Sequence, residues 1–230
     1  QLTLAQLEDG RWQIGGIIIP QSKEPATPSS WNFSLQEAIA KNCNIKFISS
    51  RLKSDLKIEH AKITRLTSWT PQGRARLEFS GQINEGSLKL QVDGSPFANE
   101  IMAAGRIQLK DLSLLPFARL LEPHLAKMDG RLGADLNFET RQTSDNALSL
   151  LQKGRVNLQQ VRTQIGDTDF SNGSLAWDGA IRIDIPQSEN SLKISADGQL
   201  NESGLAMVLK NANTQIQQGG LDWQGKIDYV

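Results

Sequence analysis

The sequence is poor in the residues that most often mark chemistry. Its 230 residues include one cysteine, Cys43, and only two histidines. One cysteine excludes a disulfide within the chain, and so few Cys and His residues do not make a zinc site. The 25 Lys and Arg residues balance 25 Asp and Glu residues, so the formal net charge is zero. Nucleic-acid binding needs an excess of positive charge, and we therefore expect no nucleic-acid partner.

Long apolar runs and catalytic signatures are also missing. The apolar runs are only a few residues long, as at 17–19, whereas a membrane-spanning helix needs about 20. No G-x-S-x-G, G-x-G-x-x-G, Walker, H-E-x-x-H or C-x-x-C motif occurs. His60 is interpreted as a solvated strand residue and His124 as a helix-end residue. The chain is therefore not expected to be an enzyme or to hold a cofactor or metal.

One oxygen-rich segment resembles a cation-binding loop. Residues 166–173 read GDTDFSNG, with carboxylate and amide oxygens between two glycines. The spacing differs from the D-x-[DN]-x-[DN]-G calcium pattern, so a hairpin turn is the favoured interpretation.

Alternation of apolar and polar residues runs through most of the chain. It is regular from Ala75 to Ile83, from Leu132 to Phe138 and from Ile181 to Ile185. A period of two places one face of each strand in apolar surroundings and the other in water. Because strands buried on both faces would read as continuous apolar runs, the sheet is expected to be antiparallel and one-sided.

Three segments interrupt the alternation. Residues 113–122 space Leu114, Phe117 and Leu121 at helical intervals, which predicts one short helix beginning at Ser113. Residues 20–30 contain three prolines and few apolar residues, and are interpreted as a loop or a boundary between subdomains. Residues 141–153 are predicted to form a loop, with one further helical turn as the alternative.

Glycines recur in an apolar-x-Gly-x-aliphatic setting. Gly81, Gly105, Gly130, Gly179, Gly198 and Gly225 have this setting, and Gly154 matches it less fully because only the aliphatic Val156 is present; the separations lie between 19 and 27 residues. A unit of two strands of about ten residues each would have this period. Nineteen glycines could also produce such spacings by chance. The pattern favours an elongated stack of hairpins over a closed sandwich.

A one-sided sheet must cover its apolar face, and one short helix is too small to do so. Two solutions remain: a curled sheet whose inner face fills itself, or a groove that holds an apolar ligand. An acyl chain gains about 0.8 kcal/mol for each buried methylene, so a sixteen-carbon chain could gain on the order of 10 kcal/mol. An empty groove would leave an exposed apolar strip, which monomeric proteins avoid.

Four segments in the middle of the chain carry a family resemblance. They are residues 94–97 (GSPF), 105–109 (GRIQL), 112–117 (LSLLPF) and 130–136 (GRLGADL). In this order, the segments resemble the AsmA-like envelope proteins of Gram-negative bacteria. The similarity is strongest over residues 75–140. The amino-terminal membrane helix of that family is absent from this sequence, which begins with Gln1.

The resemblance implies a fold and a function. It implies an all-β chain with one short helix, folded as an elongated, curled antiparallel β-groove. Residues 1–230 would form one periplasmic segment of a longer protein, tethered to the inner membrane by a part outside this sequence. The groove would bind or conduct phospholipid acyl chains between the inner and outer membranes, supporting envelope lipid homeostasis, and an envelope protein could be a partner.

No residue is catalytic in this interpretation, and the groove wall would be apolar. The residues expected to contact lipid are Leu77, Phe79, Leu88, Leu90, Ile107, Leu109, Leu132, Leu136, Phe138, Leu175, Trp177, Ile183, Ile194, Met207, Leu209 and Trp223. Each of them also fits an ordinary core position. The alternative is a structural or adhesive β module with a self-filled core that binds protein or glycan.

Overall fold

In a computed structural model, the described residues of the chain form one thirteen-stranded β-sheet. The structure describes residues 2–7, 9, 11–19, 32–70, 73–120, 126–187 and 192–229. The strands are β1 (Leu2–Gln6), β2 (Trp12–Ile14), β3 (Ile17–Ile19), β4 (Ser34–Ile48), β5 (Lys53–Thr67), β6 (Ala75–Ile83), β7 (Gly86–Ser95), β8 (Ile101–Ser113), β9 (Ala126–Gln142), β10 (Leu148–Ile165), β11 (Thr168–Ile185), β12 (Lys193–Leu209) and β13 (Thr214–Tyr229).

From β4 to β13 the strands pair in sequence order as an antiparallel meander. Strands β1 and β2 form an antiparallel hairpin, and β3 pairs with β2 at the far edge. One pair differs from the expectation, because β1 joins β4 in parallel. The all-β, curled and open architecture expected from the sequence is confirmed.

The two faces of the sheet differ in composition and exposure. One face, which we call the groove face, carries the cross-strand neighbours Leu90, Ile107 and Leu136. These side chains are half-buried, whereas Arg106 and Asp135 on the opposite, outer face are exposed. In a sheet of one layer, side chains converge on the inside of a curl and spread on the outside. The lower exposure of the groove face is what the inner side of a curl would show.

The helix predicted at 113–122 is a 3₁₀ helix, not an α-helix, in the part of the segment that the structure describes. Ser113 is the last residue of β8, and Leu115–Leu120 forms a 3₁₀ helix of 6 residues. The Phe117 amide N–H donates to the carbonyl oxygen of Leu114 at 3.0 Å, which is the i to i−3 bond of a 3₁₀ turn. Pro116 has no amide donor, and so short a segment does not repay the cost of nucleating an α-helix. A second 3₁₀ turn, Lys210–Ala212, connects β12 to β13.

The predicted loop at 141–153 is largely strand. Strand β9 extends to Gln142 and β10 begins at Leu148, so the connection is a short turn with no helical residues. Its Thr143 amide donates to the carbonyl oxygen of Ala147 at 3.0 Å. The expected boundary at 20–30 and His124 lie outside the described residues.

The glycine repeat has a different unit from the one predicted. From Gly130 to Gly225 each of the five glycines lies on its own strand, β9 to β13, and these strands are 16 to 18 residues long. The repeating unit is therefore one long strand with its turn, not a pair of ten-residue strands.

Candidate functional site

The groove face forms continuous rows of side chains that run across the strands. In one row, Phe79 pairs with Leu90, Leu90 with Ile107 and Ile107 with Leu136. A parallel row further along the strands joins Leu88 to Leu109. Directly paired residues point to the same side of a sheet, so these rows make an apolar strip perpendicular to the strands.

On β10 to β13 the second row ends in two indoles. Val156 pairs with Trp177, Trp177 with Leu200 and Leu200 with Trp223. The rings of Trp177 and Trp223 are stacked, with centroids 6.3 Å apart and planes at 21°. The two rings reach over the intervening strand, which makes this part of the groove wall aromatic and flat.

All sixteen predicted groove residues are half-buried in the structure. Strand register alone places fourteen of them on the groove face. Met207 and Leu209 lie beyond an irregularity in β12. After this point the half-buried positions are shifted by one residue relative to the alternation before it. The structure thus brings the predicted set onto one face, and contact with lipid stays a prediction.

No second layer of described residues covers this face. Within the described part of the chain, Ile58 and Leu112 are the only apolar side chains classed as buried. The chain exposes 15657 Å², compared with about 10,000 Å² for a compact protein of this mass. The surplus is what an open, unfilled groove would show.

A row of glycines continues the apolar row across β10 to β13. Leu136 pairs with Gly154, Gly154 with Gly179, and the row goes on through Gly198 to Gly225. A Cβ at Gly154 would lie 2.1 Å from the carbonyl oxygen of Asp135, and one at Gly179 would lie 2.3 Å from that of Asp197. Only glycine permits neighbouring backbones to approach so closely, and such positions mark bends in a sheet.

Aromatic rings lie over several of these glycines. A Cβ at Gly179 or Gly198 would meet Cζ2 of Trp177 at 3.0 and 2.9 Å, and one at Gly225 would meet Cζ2 of Trp223 at 3.0 Å. The rings occupy the space that side chains on the glycine row would fill. The aromatic–glycine pairs therefore keep the groove floor apolar while the backbone bends beneath it.

A second line of irregular residues lies six positions away from the glycine row. The register places Gln160 opposite Gly173, Gly173 opposite Gly204 and Gly204 opposite Gly219. We call these four residues the seam. Gln160 has a φ of 51° and Gly204 a φ of 73°, values typical of β-bulges.

The alternation changes phase at the seam. On β12, Leu200 and Glu202 face the groove before the seam, while Leu205 and Met207 are half-buried after it and Val208 is 38% exposed. The seam residues of adjacent strands lie side by side. The apolar–polar alternation therefore changes phase at the same level on neighbouring strands, and the pairing register between the strands is kept. We interpret the glycine row and the seam as two parallel bend lines across β10 to β13. Bends along these lines make a groove that runs across the strands, in the direction of the apolar strip, which spans about 34 Å from β6 to β13 at the usual strand spacing.

A polar pair lies in the groove wall beside the seam. Glu202 is 9% exposed and occupies the groove face between Leu175 and Leu221. The Asn172 side-chain amide donates to Glu202 Oε1 at 2.8 Å. Within the described residues, Glu202 Oε2 and Asn172 Oδ1 are buried without hydrogen-bond partners, as is Trp177 Nε1. Sequence reasoning missed Glu202, although a glutamate at an apolar-phase position was the available signal.

The outer face carries charged ladders in contact with water. Arg106 donates two hydrogen bonds to Asp135 at 2.8 Å each, and Gln108 donates a third at 3.2 Å. The hydrogen bonds from Arg106 and then Gln108 hold the pKa of Asp135 below its ordinary value. These groups are solvated, so the pairs contribute little to stability.

The described residues contain no group of three or more His, Cys, Asp or Glu side chains placed to hold a metal ion. The segment 166–173 forms a turn at Gly166 and Asp167 followed by β11, as the favoured interpretation predicted. His60 is a half-buried strand residue of β5. In the same described part of the chain, no helix has the length and apolarity needed to cross a membrane.

Comparison with known proteins gives no relative: no family model matches the chain, and neither a curated protein nor a solved structure is significantly similar to it.

Proposed function

We propose that this chain is a lipid-binding groove module whose groove face binds or conducts phospholipid acyl chains. The observation that carries the proposal is the continuous apolar strip from Phe79 to Trp223, which no described layer covers. Acyl chains match it in chemistry, because both are apolar over their whole length. A chain of sixteen carbons lying on the strip would gain on the order of 10 kcal/mol from burial.

The cellular setting follows from the sequence resemblance. An AsmA-like module would lie in the periplasm, tethered to the inner membrane, and would support lipid balance between the two membranes. The bend lines support this proposal, because a groove that crosses the strands is lengthened simply by adding strands. Such a groove suits a long lipid path better than a single closed site.

The proposal is tested by native mass spectrometry of the protein purified from bacterial cells. Phospholipid should remain bound to the wild-type chain. Replacing Leu136 by arginine places a charge in the apolar strip and should remove most of this lipid. Replacing its neighbour Asn137 by arginine is the matched control, since Asn137 is exposed on the outer face of the same strand.

Circular dichroism checks that both variants fold. If Leu136→Arg does not fold, a photo-crosslinking residue at position 136 should capture an acyl-chain probe, while one at 137 should not. A lipid-free wild-type protein, or equal capture at both positions, would contradict the proposal. Glycan or protein binding without lipid would favour the structural or adhesive alternative.

A further inference from the structure

Three exposed aromatic side chains gather at one end of the strands. Phe33 precedes β4, Trp69 follows β5 and Phe97 lies in the turn between β7 and β8; they are 47%, 53% and 40% exposed. The rings of Phe33 and Phe97 are in edge-to-face contact with centroids 5.5 Å apart. We call these three residues the aromatic rim patch.

Two hydrogen bonds between Phe33 and Ser68 hold this part of the patch in place. The Phe33 amide donates to Ser68 Oγ at 2.9 Å, and the Ser68 amide donates to the carbonyl oxygen of Phe33 at 3.0 Å. These bonds fix Phe33 beside the segment that carries Trp69. The exposure is therefore part of the folded structure, and exposed apolar patches of this kind commonly mark interaction sites.

A depression lined by arginines lies next to the patch. It has a volume of about 330 Å³ on the outer face, and Arg74, Arg141 and Arg182 line it together with Ser95. Ser95 is two residues from Phe97, which connects the depression to the patch. Asp93 and Glu139 also line it.

Two of the three guanidinium groups are available to a ligand. Arg141 is paired with Glu100, whereas Arg74 and Arg182 form no ion pair or side-chain hydrogen bond with any described residue. Guanidinium groups bind phosphate oxygens through paired N–H donors. The depression therefore suits a phosphate group that binds beside the aromatic rim patch.

We propose that the aromatic rim patch and the arginine depression dock this rim of the groove on an anionic lipid surface. Trp side chains prefer the interface between lipid headgroups and acyl chains, exposed Phe side chains can bury into the same boundary, and the arginines would bind headgroup phosphates. The combination favours a membrane over a protein partner, because aromatic and phosphate-binding groups lie side by side on one rim. The proposal rests on the proposed lipid function, since docking would bring the groove to its source of lipid.

Co-sedimentation with vesicles tests the proposal. The probes are vesicles of phosphatidylcholine alone and vesicles in which a quarter of the lipid is phosphatidylglycerol. The full chain should sediment with the anionic vesicles and much less with the neutral ones. The triple variant Phe33→Ser, Trp69→Ser, Phe97→Ser should bind roughly tenfold more weakly. Arg74→Glu with Arg182→Glu should lower binding to anionic vesicles by at least about fivefold for each charge.

Exposed apolar residues at the opposite strand ends provide the control. Leu115 is 60% exposed and Ile216 is 50% exposed, and Leu115→Ser with Ile216→Ser should leave vesicle binding unchanged. Failure of the wild-type chain to sediment with either vesicle, or wild-type binding by the triple variant, overturns the proposal and favours a protein partner for the patch.

The groove variant separates the two proposals. Leu136→Arg should lose its bound phospholipid yet sediment as the wild-type chain does, because position 136 lies outside the patch. A wild-type chain that sediments with anionic vesicles but carries no phospholipid contradicts the groove function and leaves the docking surface standing.

Discussion

Replacing Gly154 by alanine should destabilise the sheet strongly. Gly154 lies on β10 in the glycine row, between Leu136 on β9 and Gly179 on β11. An added Cβ would lie 2.1 Å from the carbonyl oxygen of Asp135 and 3.1 Å from Cα of Leu136. The first distance is roughly 1 Å shorter than any real Cβ contact, so β9 and β10 would have to move apart.

The expected cost combines two effects. Forcing extra atoms into a close-packed site costs about 1–3 kcal/mol. The φ of Gly154 is 138°, which side-chain-bearing residues rarely adopt, and such backbone strain costs about 1–3 kcal/mol more. We therefore expect the free energy of unfolding to fall by about 2–6 kcal/mol, which is a large part of the 5–15 kcal/mol typical of a folded domain.

Gly219 provides a matched control on β13. No atom would lie within 4 Å of a Cβ added there, so alanine introduces no clash. By reducing the conformational entropy of the unfolded chain, Gly219→Ala should leave stability unchanged or raise it by up to about 1 kcal/mol.

Equilibrium urea unfolding followed by tryptophan fluorescence measures both variants, with far-ultraviolet circular dichroism as a second probe. If Gly154→Ala and Gly219→Ala differ in free energy of unfolding by less than about 1 kcal/mol, the close approach of β9 and β10 does not require glycine. That result would refute the assignment of the glycine row as a bend line.

Two further predictions concern polar pairs. Asn172→Leu leaves the Glu202 carboxyl without a partner and should lower the free energy of unfolding, measured with urea, by about 1–3 kcal/mol. The double variant Asn172→Leu with Glu202→Leu should lower it by less than either single change. Additive costs would show that the pair is not coupled. Arg106→Gln should raise the pKa of Asp135 towards its ordinary value in an NMR titration and leave that of Asp145 unchanged, since a hydrogen bond from Thr143 lowers the latter. The lowered pKa of Asp135 stabilises the folded state at pH values above the ordinary pKa, and this effect is lost as the pH falls through the lowered pKa. Because both groups are solvated, Arg106→Gln should flatten the acid limb of the stability curve only slightly. An unchanged Asp135 titration would contradict the causal role of Arg106.

The sequence predicted the sheet and its two faces because alternation is a local signal. The period of two alone predicts that Leu132 and Leu136 lie on the same face of their strand, whatever strands lie beside it. The same signal identified the predicted groove residues, and register then placed fourteen of them together. Contact between strands could not be predicted, since register depends on turns and bulges.

Two segments differ from their predictions because a local helical pattern competed with pairing between strands. Leu114, Phe117 and Leu121 show helical spacing, yet the described part of this segment is a 3₁₀ turn that packs beside β9. Leu148, Leu150 and Leu151 allowed a helical turn, but β10 pairs on both sides along its length and its backbone is fully used in the sheet. Sheet pairing overrides such weak helical patterns, because each backbone group gains a partner.

The predicted strands were too short because a β-bulge and a turn can have the same sequence pattern. On β12 the apolar phase runs through Leu200, changes at Gly204 and resumes at Leu205, which reads as two short strands with a glycine turn between them. In the structure, the strand continues through Gly204 with its neighbours kept in register. A glycine that separates two apolar phases is therefore compatible with a turn or with a bulge, and only the partner strands distinguish them.

The glycine spacing was used only to predict the length of the repeating unit. The two bend lines show that it also contains information on where the sheet bends. Gly154, Gly179, Gly198 and Gly225 are in register because the two glycines of each pair lie equally far along the chain from the middle of the connection between their strands. In an antiparallel meander, bends can align across strands only if every hairpin places its glycines symmetrically about its turn. The separations between successive glycines vary from 19 to 27 residues. They vary because the connections between the strands lie at different distances from one straight line of bends. The repeat specifies curvature about an axis across the strands, and that curvature turns a one-sided sheet into a groove.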